Sequence, residues 1–103
     1  MAIRYVDSNT IMDFGEKIRF KSKVEPVCGV DIPFSIISAD YELIFVDTDA
    51  ETETVEDQGN CNINEHTLDA LIEPQKTGIY CLRFIYKIAD ETYVDNYKIK
   101  VKG

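Results

Sequence analysis

Hydrophobic and polar positions alternate along most of this chain. From Lys17 to Val24, Ile18, Phe20 and Val24 share one side while Lys17, Arg19, Lys21 and Lys23 share the other, and Ser22 interrupts the apolar row. Alternation of period two with one charged face predicts a half-buried strand. Asp40 to Asp47 repeats the beat with Tyr41, Leu43 and Phe45, and the apolar Ile44 and Val46 predict cover on the opposite face as well. Thr67 to Ile72 turns Leu68, Ala70 and Ile72 inward. Tyr80, Leu82, Phe84 and Tyr86 form one face of the next strand, with Cys81, Arg83 and Ile85 behind it. Tyr97, Ile99 and Val101 then alternate with Asn96, Lys98 and Lys100. No stretch sustains a helical period.

Turn-forming residues punctuate these runs. Asp7-Ser8-Asn9 and Asp13-Phe14-Gly15-Glu16 read as turns, and Ala2 to Val6 is a candidate first strand. Glu25 to Pro33, with Pro26 and Gly29, reads as a loop, followed by the brief apolar run Phe34 to Ile37. Thr48 to Asp57 is either a long hairpin loop or an edge strand whose charges block wrong pairing. Gly59-Asn60 leads into Cys61 and Ile63 on a common face. Glu73 to Gly78 is a corner, and Ala89-Asp90-Glu91 a tight connection. Seven to eight antiparallel strands spaced by about ten residues predict an all-β sandwich. Gly78-Ile79-Tyr80 gives the sandwich an immunoglobulin-like character. A tyrosine at the start of the sixth strand pins the crossover between sheets by bonding to backbone a few residues upstream. Leu82 stands where antibody domains carry a cysteine, so no disulfide-bonded immunoglobulin domain is expected.

Composition narrows the class. Residues 1–103 are read as one domain, and 45% hydrophobic content is enough for a core despite a net charge of −8. Charge is segregated: between Val24 and Gln75 there is no Lys or Arg against thirteen acids, and all eleven basic residues lie outside that stretch. An acidic balance disfavours phosphate backbones and anionic membranes, so neither nucleic acid nor membrane is an expected partner. The opening Met1-Ala2-Ile3-Arg4-Tyr5 lacks an apolar signal region, which predicts synthesis in the cytoplasm. Cys28, Cys61 and Cys81 are odd in number, which predicts free thiols.

Candidate chemistry is sparse. One histidine and no Cys-x-x-Cys pair do not make a zinc site. Asp47-Thr48-Asp49-Ala50-Glu51 opens like a calcium loop, but Thr52 and Gln58 stand where an EF-hand needs Gly and Glu. A solvated acidic hairpin is expected, with a looser cation site left open. His66 beside Glu65 and near Cys61 lacks a nucleophile elbow, and no glycine-rich phosphate loop occurs. No enzyme and no cofactor is expected. The charge segregation reads either as solubility or as docking. In the second case the candidate interface is Asp47, Asp49, Glu51 and Glu53 on one side and Lys17, Arg19, Lys21 and Lys23 on the other.

Several of these segments together resemble a known family. They are Asp13 to Phe20, Tyr41 to Phe45, the acidic stretch Asp47 to Asp57, Gly59-Asn60-Cys61-Asn62-Ile63, Leu68 to Ile72, and Gly78-Ile79-Tyr80 with Phe84. Ile36 to Val101 in particular resembles the small immunoglobulin-like modules of tailed bacteriophages and prophages, as in the N-terminal domains of baseplate proteins and in small tail or head–tail proteins. The resemblance implies a stand-alone structural or adaptor protein of a virion, whose partners are other virion proteins or copies of itself. A bacterial recognition or carbohydrate-binding module is the alternative, with Tyr93 and Tyr86 or Tyr5 as its candidate aromatic platform.

Overall fold

A computed structural model describes residues 7–24 and 35–103, with side chains from Thr10 onward in the first segment. The candidate strand Ala2 to Val6, the loop Glu25 to Pro33, Tyr5, Cys28 and Phe34 lie outside the described residues. The described chain is all β, with eight strands and no helix. They are β1 (Asp7–Asp13), β2 (Ile18–Lys23), β3 (Ile36–Asp47), β4 (Thr52–Asn60), β5 (Asn62–Asn64), β6 (Thr67–Ile72), β7 (Gly78–Ile88) and β8 (Glu91–Lys102). Two sheets form, one in the order β1-β8-β7-β3-β4 and one in the order β2-β6-β5.

The alternating strands place their apolar rows between the sheets. Leu68, Ala70 and Ile72 of the small sheet meet Met12, Leu43, Tyr80, Leu82, Phe84, Ile99 and Val101 of the large one in a single buried cluster. Phe20 of β2 bridges the layers, its ring centroid 5.0 Å from Tyr97 and 6.0 Å from Phe84. Ser22, the break in the apolar row of β2, is buried and its hydroxyl shares a hydrogen bond with the Tyr97 hydroxyl. A buried hydroxyl needs such a partner, and this one ties the two layers together.

Two sequence expectations change and one alternative is decided. Asp7-Ser8-Asn9 is part of β1 rather than a turn. β1 runs parallel to β8, so the strands are not all antiparallel. Parallel backbone pairing, with Met12 opposite Val101 in the core, outweighs the turn propensity of its polar residues. Of the two readings of Thr48 to Asp57, the edge strand holds: β4 begins at Thr52 after a turn, pairs only with β3 among the described residues, and is exposed for most of its length. The chain then changes sheet within one residue. Cys61 separates β4 from β5, is buried, and donates its N–H to the Ala39 carbonyl at 2.9 Å.

Candidate functional site

The corner before β7 gathers several polar groups around one phenol. Tyr80 is fully buried, and its hydroxyl accepts the Lys76 backbone N–H at 3.1 Å. The same hydroxyl donates to Glu56, whose other carboxylate oxygen accepts the Gln75 N–H at 2.6 Å. Burial, with the Glu56 carboxylate against it, pushes the Tyr80 phenol well above its ordinary range. Gly78, at φ +132, turns the chain into β7, and a side chain there would lie 3.2 Å from the Phe45 ring. Phe45 meets Tyr80 edge-on at 5.2 Å and carries the Lys76 ammonium 4.9 Å from its ring centroid. The corner is thus a clamp joining β3, β4 and the crossover between the sheets.

Sequence reading found Gly78 and Tyr80 but missed Glu56. In the β3–β4 register Leu43 pairs with Asp57 and Ile44 with Val55, so Glu56 is the extra residue of a β-bulge. A bulge re-aims a side chain, and here it carries an acid out of an exposed acidic run to the phenol. No local pattern announced it, because β4 is exposed for most of its length and has no alternating row for a bulge to break.

The candidate interface residues occupy two different sheets. Lys17 precedes β2, and Arg19, Lys21 and Lys23 lie along it, all four exposed on the side of the small sheet facing away from the core. Arg19 is paired with Asp69 of β6 at 2.9 Å. Asp49, Glu51 and Glu53 are exposed at the tip and first turn of the β3–β4 hairpin of the large sheet. Asp47 is half-buried there, with one carboxylate oxygen accepting the N–H groups of Asp49 and Ala50, each at 3.1 Å. That oxygen closes the turn. Among the described residues no group of three or more His, Cys, Asp or Glu side chains converges as a metal-binding cluster.

No family model, curated protein or solved structure matches the chain.

The remaining candidates have local partners. Cys61 and Cys81 are free and buried. Burial, with Asp40 and Asp69 nearby, pushes the Cys61 thiol up to about 12. Burial pushes the Cys81 thiol up to about 11 against the opposing pull of Arg83. Nucleophilic cysteines react as thiolates, and both of these are held protonated at neutral pH. His66 is half-buried in the β5–β6 turn, where its carbonyl accepts the Val24 N–H at 2.7 Å. Tyr86 and Tyr93 stack at 5.6 Å, but Tyr86 is 6% exposed and its hydroxyl donates to Asp95 at 2.9 Å. The pair therefore offers one partly open ring rather than a platform.

Among the described residues no helix is long and apolar enough to cross a membrane.

Proposed function

We propose that this protein is a non-enzymatic immunoglobulin-like module that acts through protein–protein contacts in the virion of a tailed phage or prophage, or during its assembly. The strand order supports the immunoglobulin-like part. With β2, β5 and β6 as strands B, D and E, and β3, β4, β7 and β8 as C, C′, F and G, the sheets read B-E-D and G-F-C-C′. The Tyr80 hydroxyl meets backbone four residues upstream, as a tyrosine corner does. The observation that carries the contact role is the placement of charge. The lysine and arginine row of β2 and the acidic tip of the β3–β4 hairpin stand on separate sheets, each open to solvent. Complementary patches of this kind guide one protein onto another. The virion assignment rests on the sequence resemblance. It places synthesis in the host cytoplasm and the finished protein in the particle.

Mass spectrometry of particles purified away from cell debris tests this assignment. The protein is expected among the structural components, and its encoding gene beside tail-tube, tape-measure, portal or head-completion genes. Absence from the particles, with a gene beside polysaccharide-degrading enzymes, would transfer the protein to the recognition-module class.

A further inference from the structure

Where the last part of β4 runs beside the first half of β3, the large sheet holds a cleft of about 380 Å³. Two cross-strand pairs supply its polar walls, Asp40 with Asn60 and Glu42 with Gln58, and the paired Tyr41 and Gly59 lie between them. Directly paired residues stand on the same side of a sheet, and successive residues on opposite sides. Tyr41 and Leu43 pack on the core, so Asp40 and Glu42 turn outward and both amides turn with them. Ile85 of β7, opposite Asp40, is half-buried and forms the third wall. Val94 of β8 pairs with Ile85 in turn and is 51% exposed, so the apolar side extends past the cleft.

The polar side is partly fixed and partly open. Arg83 holds Glu42 at 3.6 Å, and the Arg83 Nε–H donates to the Asn96 side-chain oxygen at 2.9 Å. Asp40, Gln58 and Asn60 are exposed, and their side chains make no hydrogen bond among the described residues. An ionised carboxylate only accepts, whereas a side-chain amide both donates and accepts. The cleft therefore sets acceptors and donors on neighbouring strands, about 4.8 Å apart, beside an apolar wall. That layout suits a ligand with adjacent hydroxyls along one edge and C–H groups on a face. A pyranose ring has both. Its hydroxyls donate to Asp40 and accept from the Asn60 or Gln58 amide, while its C–H face lies on Ile85 and Val94. Two carboxylates in the walls, within a net charge of −8, disfavour an anionic sugar.

We propose that this cleft binds one pyranose residue of a neutral saccharide. Its volume falls near the lower end of the roughly 300–1,000 Å³ of small-molecule sites. Most of its polar walls are exposed, so a single sugar is expected to bind with only about millimolar affinity. The site is distinct from Tyr86 and Tyr93, which stand on the core side of the same sheet. Saccharide binding adds a ligand to the protein-contact reading and does not depend on it.

Amide-resolved NMR titration with glucose, galactose, mannose and N-acetylglucosamine in turn tests the proposal, with glucuronic acid as the anionic control. Saturable shifts are expected at the cleft amides with at least one neutral sugar, and none with glucuronic acid. Asp40→Ala and Asn60→Ala change exposed side chains, so the spectra should keep the native dispersion while binding weakens about fivefold or more in each. A titration without saturable shifts for any of the neutral sugars overturns the proposal. So do shifts that gather away from the cleft, that persist at full strength in both variants, or that glucuronic acid reproduces. The virion assignment is decided separately, by particle composition.

Discussion

At the scale of single residues, the fold depends on polar groups that are fully partnered where the chain changes sheets. Tyr80 contributes an apolar ring to the core and a hydroxyl that both accepts from Lys76 and donates to Glu56. Tyr80→Phe keeps the ring and strips both bonds, leaving a backbone N–H short of an acceptor. A loss of about 1–3 kcal/mol in urea unfolding is expected. Glu56→Ala should cost a similar amount. Because the two side chains touch, the double variant should lose less than the sum, and strict additivity would show that the clamp is not a unit. The thiols set a pH dependence. Both rise from the reference 9.0, Cys81 to about 11 and Cys61 to about 12. The fold favours their protonated forms, so stability is intact below about pH 9 and declines as pH climbs through 11 and 12. Tyr80 and Tyr86 act in the same direction. A urea midpoint that stays level between pH 8 and pH 11 would contradict this.

At the scale of elements, two turns have opposite conformational demands. Gly78 lies at φ +132 with the Phe45 ring close by, so Gly78→Ala combines backbone strain with a clash. It is expected to lower stability by about 1–3 kcal/mol in thermal or denaturant melts. Ala89, in the β7–β8 turn, holds φ 55, a left-handed value that disfavours residues with a Cβ. Ala89→Gly relieves that strain and should raise stability by about 0.5–1 kcal/mol; a loss would mean that the turn tolerates alanine freely. Elements differed in how plainly the sequence announced them. β2, β6 and β8 keep one row more buried than the other, and β7 buries Tyr80, Leu82, Phe84 and Tyr86 with only Cys81 buried behind them, so their alternation gave them away. β1 has no such row: Asp7-Ser8-Asn9 has turn chemistry, and its strand character comes from β8 alongside it. β4 was ambiguous for a related reason. It is an exposed edge with no buried face to impose a period, and its bulge shifts the beat at Glu56.

At the scale of the whole molecule, the segregated charge becomes surface geography. The acidic middle of the chain supplies the β3–β4 hairpin of the large sheet, and the basic ends supply β2 of the small sheet and β8 of the large one, so segregation in sequence becomes separation between strands. Exposed charge pairs are screened within about 8–10 Å at physiological salt, so association through them should weaken steadily as salt is added. Light scattering across a salt series checks this, and association that strengthens with salt would point to apolar contacts rather than charge as the main source of affinity.

The sequence by itself determined that the chain is of the all-β class and which rows of β2, β3, β6, β7 and β8 turn to the core, because period-two patterning is a local property readable one residue after the next. It also determined that Gly78 and Tyr80 stand at a corner, since a positive-φ glycine and a tyrosine entering a strand are close neighbours in the chain. The tertiary structure alone decided that β1 runs parallel to β8, that a bulge brings Glu56 to a phenol 24 residues away, and that the lysines of β8 share a face with the acids of β3 and β4. Each of these is a meeting between residues far apart in sequence. Such contacts are set by how the sheets close on one another, and no local pattern encodes them.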